Sequence, residues 1–354
     1  MPQRLAVSRA SGKAPHTVQV CCVVELATTQ PFGATLAKLS ERRLIIVSGK
    51  GGVGRTTMAA LLGRGLAAQG RRVLVSTTGL DARLARTLGP ELLSTAPAQV
   101  ADNLFVQRLD PATCLREYGT LVLKSERIAR GVFDNTVVRR LMRAIPGLDD
   151  FSVLGKVWHE AIRERAYDHI IFDGPASGHL MLSLSVPGAI LRAVPGGPLR
   201  SEASLVAASL QNPRETCAVL VTLPDAWPLQ ECSELEARLR GEVGVSVGAL
   251  IINRATLPPS ESLGPLLGGW ARDDAFEGSR RAFGHLSRVA ERQREQWSGL
   301  NPWLEEWCER TRCNATLVPS YPGALEGPQD LAVLLDALED TRDPTGRDHE
   351  GASA

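Results

Sequence analysis

Short runs of apolar, often β-branched residues recur along this chain with helical stretches between them, and the central runs do not alternate with polar residues. Alternation marks a sheet wetted on one face. Its absence predicts strands buried on both faces, as in a mainly parallel sheet covered by helices. The runs predict strands at Leu44 to Val47, Arg71 to Thr77, Leu104 to Leu109, His169 to Phe172, Cys217 to Thr222, Val247 to Ile252 and Thr316 to Val318. Residues 115–166, 180–212, 228–242 and 276–312 read as mainly helical, and Pro-Gly clusters at 187–198 and 257–269 read as loops. The order of elements gives an α/β fold, a doubly wound, mostly parallel sheet, with a helical subdomain at approximately 115–166 and 180–212. Residues 1–40 read as an irregular N-terminal extension with a start near Glu41 as an alternative, 41–340 as the folded domain, and the polar stretch 341–354 as a disordered tail.

The first strand runs straight into Ser48-Gly-Lys-Gly-Gly-Val-Gly-Arg-Thr-Thr57. Glycines at 49, 51, 52 and 54 let the backbone take positive φ and bring successive N–H groups onto a polyphosphate. Met58, Leu61, Leu62 and Leu66 then follow at helical spacing, with Gly70 as a stop, so the positive end of a helix faces the same point. Strand, glycine turn and helix are the context that a nucleotide phosphate loop requires. Gly49, Lys50, Gly51, Gly52, Val53, Gly54, Arg55, Thr56 and Thr57 are therefore the candidate nucleotide-binding residues; by similarity to known phosphate loops, the nucleotide is ATP and Thr56 a ligand for Mg2+. The usual lysine before the hydroxyl is replaced by Arg55, whose planar fork is not interchangeable with a compact ammonium. Binding is expected to survive this change better than turnover. At the end of another strand stands Asp173, followed by Gly-Pro-Ala-Ser-Gly-His. A carboxylate there is placed to hold the magnesium through water, and the Gly178 amide to meet the γ-phosphate.

Bulk properties narrow the class. Of 354 residues, 44% are apolar and 22% charged, and the net charge is +1. This balance fits a globular protein and offers no general attraction to nucleic acid. No apolar run reaches the roughly 20 residues of a membrane helix. Seven cysteines, scattered and odd in number, read as reduced cytoplasmic usage, Cys217 and Cys232 being small core residues.

The string G-K-G-G-V-G-x-T-T resembles the deviant phosphate loop of the MinD, ParA, nitrogenase iron protein and ArsA group. The segment Asp173-Gly-Pro-Ala-Ser-Gly-His179 is similar to the D-x-x-P-[TA]-G-H switch of the arsenical pump-driving and tail-anchored-protein ATPases. Pro146-Gly-Leu-Asp-Asp, Leu154-Gly-Lys-Val-Trp158 and Val221-Thr-Leu-Pro-Asp-Ala-Trp-Pro-Leu-Gln-Glu231 resemble further segments of the same ArsA-like family. The resemblance implies a P-loop NTPase across 41–340, a dimer in which Lys50 reaches the partner's nucleotide, Glu231 facing the partner's lysine, and Asn253 on adenine. It also implies a nucleotide-driven switch, with a helical surface for a protein client.

Two departures bear on catalysis. Where the family shows a water-orienting aspartate after its second strand, this chain has Thr78, a poor proton acceptor. Asp81 either reaches in from the next turn or is an acidic residue near a helix start. With Arg55, this points to a slow or conditional dimeric ATPase. Alternatives are an impaired subunit that completes a paralogue's site in a heterodimer, and a ParA-like positioning ATPase, which the near-zero charge disfavours. The segment after His179, through Pro198, has no cysteine to bind a metalloid. The stretch from His179 to Asn253 is also short for a large client-binding insertion.

Overall fold

β1 (Leu44–Ser48) lies inside an eight-stranded sheet whose other members are β2 (Val73–Thr77), β3 (Ala98–Ala101), β4 (Leu104–Arg108), β5 (His169–Asp173), β6 (Thr216–Thr222), β7 (Val247–Ala255) and β8 (Ala315–Pro319). The computed structural model describes residues 28–78, 83–89, 94–123, 148–256, 262–321, 325 and 327–339. The strand order is β3-β4-β2-β5-β1-β6-β7-β8, with every neighbouring pair parallel except β3 with β4. All seven expected strands are present. β3 is an additional antiparallel edge strand, too short and too exposed to show an apolar run.

The central strands send alternate residues to two separate cores. Leu44 and Ile46 enter one, and Ile45 and Val47 the other. Helices α1 (Phe32–Leu39), α2 (Arg55–Ala68), α3 (Arg83–Leu88) and α11 (Pro328–Glu339) cover the second face. The first face carries α4 (Pro111–Leu123), α5 (Leu148–Trp158), α6 (Ser177–Ala193), α7 (Pro198–Gln211), α8 (Ala226–Arg238) and the long α10 (Arg280–Thr311). Between α10 and β7 lies α9 (Leu263–Trp270). The doubly wound α/β fold is thus the fold of this chain. Among the described residues, α4 to α7 share one core with the sheet rather than enclosing a separate one. Residues 124–147 of the helical region and the tail 341–354 lie outside the described residues.

Three expectations are corrected. Residues 32–39, placed in an irregular extension, form α1, whose Phe32, Thr35, Leu36 and Leu39 are buried. The helix is tied to β8 by a 2.5 Å hydrogen bond between the Thr35 and Thr316 hydroxyls, and the residues leading into it by Gln30 N–H donating to the Ala315 carbonyl. Pro187, taken as a loop marker, lies inside α6, where burial of Leu184, Val186 and Ile190 overrides the local turn signal. The glycine-rich end of the second cluster, from Leu263, is α9; its Gly264 carbonyl accepts from Ser287 of α10. Cys217 and Cys232 are core residues, and burial pushes the Cys217 thiol up to about 12. No helix among the described residues is long and apolar enough to cross a membrane.

Candidate nucleotide site

Parallel registry brings the strand ends together: Val47 and Thr77 both align with Asp173, and Ser48 aligns with Leu220. The glycine loop leaves β1 at this edge, where open α/β sheets bind ligands. Gly49 is packed so closely that a Cβ would lie 2.2 Å from the Val221 carbonyl oxygen. Gly51 and Gly52 are the opposite case, with nothing within 4 Å of a Cβ, so an incoming phosphate meets only backbone. Gly54 (φ 97°) enters α2 without a side-chain cap. Met58 N–H takes the Gly54 carbonyl, which leaves the amides of Arg55, Thr56 and Thr57 without intrahelical partners. A four-glycine loop and a free helix terminus stand together here, the geometry that suits an anion.

Beside it, Asp173 Oδ2 accepts hydrogen bonds from Thr56 Oγ1 at 2.8 Å and Thr77 Oγ1 at 3.0 Å. Burial pushes the Asp173 carboxyl above the usual range, against the pull of those hydroxyls and of the Arg55 charge. A buried carboxylate held this way is short of cationic compensation. One hydroxyl and one carboxylate are hard oxygen donors of the kind that bind Mg2+ together with substrate phosphates, so the residues present fit that ion. Arg55 turns toward the loop after β5 and donates from Nη1 to the Gly174 carbonyl at 2.6 Å. Thr78 follows directly on β2 and is half-buried, and Asp81 lies outside the described residues.

Residues 42–194 match the family described as Anion-transporting ATPase. Over 242 residues the chain is 30% identical to the ATPase BagA of Mycobacterium tuberculosis, an overlap of 65% of this chain and 71% of that one. It is 31% identical over 258 residues to an Arsenical pump-driving ATPase of Escherichia coli, covering 71% of this chain and 41% of that protein. The chain belongs to the ArsA-like ATPase family.

In this ArsA-like chain Lys50 Nζ is 2.5 Å from Glu231 Oε1 of the same chain and 5.1 Å from the centre of the Trp227 ring. Trp227 and Glu231 stand one turn apart on α8, so one helix face meets the lysine with both an aromatic face and a carboxylate. Lys50 is 43% exposed and Glu231 33%, which makes this a solvent-screened pair. Glu231→Gln is expected to change folding stability by less than about 1 kcal/mol in urea unfolding. A larger loss would mean the pair holds α8 in place.

Asn253 is committed to the main chain: Nδ2 donates to the Val53 carbonyl at 2.8 Å, and Oδ1 accepts from Arg254 N–H at 2.9 Å. It stitches the end of β7 to the phosphate loop and lines a cavity of about 640 Å³ with Gly54, Thr57, Arg83, Arg86 and Tyr321. The cavity adjoins the glycine loop where a nucleoside would follow its phosphates. Gly178 is exposed in the first turn of α6, where amides lack intrahelical partners. The apolar residues of α6 mostly face the core. Leu180, Met181, Leu184, Val186 and Ile190 are buried, while Leu182 is 47% exposed.

Sequence reasoning missed Thr77, Trp227 and the Gly174 carbonyl. Thr77 was overshadowed by its neighbour Thr78, although its place as the last residue of an expected strand was a usable signal. The other two act through space and leave no local pattern.

Proposed function

We propose that this chain is a magnesium-dependent ATP switch with slow or partner-dependent hydrolysis, working as a dimer. The observation that carries this reading is the Thr56–Asp173–Thr77 hydrogen-bond set beside a glycine loop open to phosphate. Thr56 and Asp173 would hold Mg2+, which supplies neutralisation of charge on the β- and γ-phosphates. The loop amides orient the triphosphate, the cavity beside Asn253 takes the nucleoside, and Gly178 at the start of α6 offers an amide to the γ-phosphate. Lys50 stands on the exposed side of the loop, where a second subunit would compete with Glu231 for its ammonium. Closure of such a dimer on ATP and opening on ADP would alter what the helical layer presents to a client.

A neutral Thr78 favours the second reading, an impaired subunit completed by a paralogue. Calorimetry with Mg-ATP and phosphate release from the isolated chain separate the two. Saturable, magnesium-dependent binding with slow release that Thr78→Ala leaves unchanged supports the slow switch. Release that appears only when the paralogous subunit is added supports the heterodimer. No binding heat in either state overturns both.

A further inference from the structure

The cavity beside Asn253 carries more positive charge than a neutral nucleoside calls for. Arg83 and Arg86, one turn apart on α3, and Arg254, near the end of β7, all line its wall, and among the described residues no acidic side chain does. The three guanidiniums have no ion pair or hydrogen-bond partner among the described residues; Arg254 engages only its main-chain N–H, with Asn253 Oδ1. Asp330, in the first turn of α11, accepts instead from the Tyr321 hydroxyl and the Gly327 N–H. Arg254 also holds a costly backbone. Its φ is 57°, in the left-handed region that a Cβ disfavours, and the register of β7 with β8 shifts between Asn253 and Ala255. This irregularity turns Arg254 out of a strand whose neighbours Asn253 and Ala255 are buried, and leaves it exposed at the cavity wall. Glycine or asparagine would take that conformation with less strain, so the turn alone does not call for arginine.

We infer that Arg83, Arg86 and Arg254 form a second anion subsite in the nucleoside cavity, for a phosphate monoester distinct from the 5′ chain and carried on the ribose of the bound nucleotide. This deepens the ATP-binding reading above and rests on it. A base has two faces, so stacking occupies at most two guanidiniums. Like charges gathered in one concavity repel one another, and a phosphate relieves that repulsion while accepting from the arginine forks. Gly54 and Thr57 line the same cavity where it meets the glycine loop, so a 5′ phosphate on the loop and a ribose phosphate at the arginines can belong to one molecule. The volume of about 640 Å³ falls within the roughly 300–1,000 Å³ of sites that hold a whole cofactor. A ribose-phosphorylated nucleotide is thereby a competitor of ATP for the loop.

The test is calorimetry on the full chain with AMP, adenosine 2′,5′-bisphosphate and adenosine 3′,5′-bisphosphate, and with AMP in the presence of inorganic phosphate. One of the two bisphosphates should bind wild type about 10- to 100-fold more tightly than AMP, the worth of a charge-assisted hydrogen bond. Arg86→Gln and Arg254→Gln should each lower that ratio, and the double variant should bring it to about one. Both side chains are exposed, and each ratio is read within one folded variant. A ratio below about tenfold in wild type, with AMP binding that inorganic phosphate strengthens in wild type and not in the double variant, keeps the subsite but overturns its ribose source in favour of a free phosphate. The same low ratio without an effect of inorganic phosphate overturns the subsite. So does a high ratio that survives in the double variant, because the added phosphate then lies elsewhere. A wild type that binds Mg-ATP while showing neither effect leaves the ATP-binding reading intact, and one that binds no nucleotide defeats both.

Discussion

Leu36→Ala should cost about 2–5 kcal/mol of folding stability, the range for emptying a fully buried leucine site. Leu36 is 0% exposed on α1, and its Cδ1 lies 2.7 Å from where a Cβ on Gly65 would stand. α1 therefore sits directly on the backbone of α2, the helix that carries Arg55 and Thr56. Truncation at this contact leaves a void lined by α2 and by Leu335 of α11, and neither helix can close it without pulling away from the sheet. Urea unfolding at unchanged slope measures the loss. A change below about 0.5 kcal/mol, the size typical of surface positions, would mean that this segment is the irregular extension its sequence suggested.

Asp173→Asn should lower magnesium-dependent phosphate release by about 10²–10³, the usual cost of removing one preorganised electrostatic contact to a transition state. Asparagine keeps an oxygen that can accept from Thr56 and Thr77, so the fold around the site is preserved while the negative charge is lost. The same substitution should raise the stability of the nucleotide-free chain. Burial holds the folded-state pKa of Asp173 above its unfolded value. The folded state therefore binds the proton more tightly, and stability falls as pH rises from the unfolded value near 3.8 through the raised folded one. Asparagine has no charge to desolvate and escapes that loss. Thermal unfolding at neutral pH and again below the unfolded pKa checks the sign: a clear gain at the first and a smaller one at the second. An Asn variant less stable than wild type at neutral pH would show that the carboxylate's hydrogen bonds outweigh its desolvation.

The parallel sheet was legible because strands buried on both faces have to be written as unbroken apolar runs, and each of the seven runs became a strand. β3 escaped because an edge strand meets no such demand. α1 was written in the sequence at helical spacing, Phe32, Thr35, Leu36 and Leu39, but it stands between a proline and a charged turn and is too short for propensity alone to announce. Pro187 misled for the opposite reason, a strong local signal overruled by tertiary packing. At the site, the glycines, Thr56 and Asp173 were readable because their chemistry depends on fixed local spacing. The pairing of Lys50 with Glu231 and of Arg55 with Gly174 depends on how strands align, and no local pattern encodes that alignment.

β5 is hydrogen-bonded to β2 on one side and β1 on the other and is buried along its whole length. Its last residue cannot travel unless three strands travel with it. The very next peptide unit is gripped by a side chain from the phosphate loop. Immobile fulcrum and lever arm thus meet at a single bond, and in the switch proposed above any stroke on phosphate loss would be confined to what lies downstream of it.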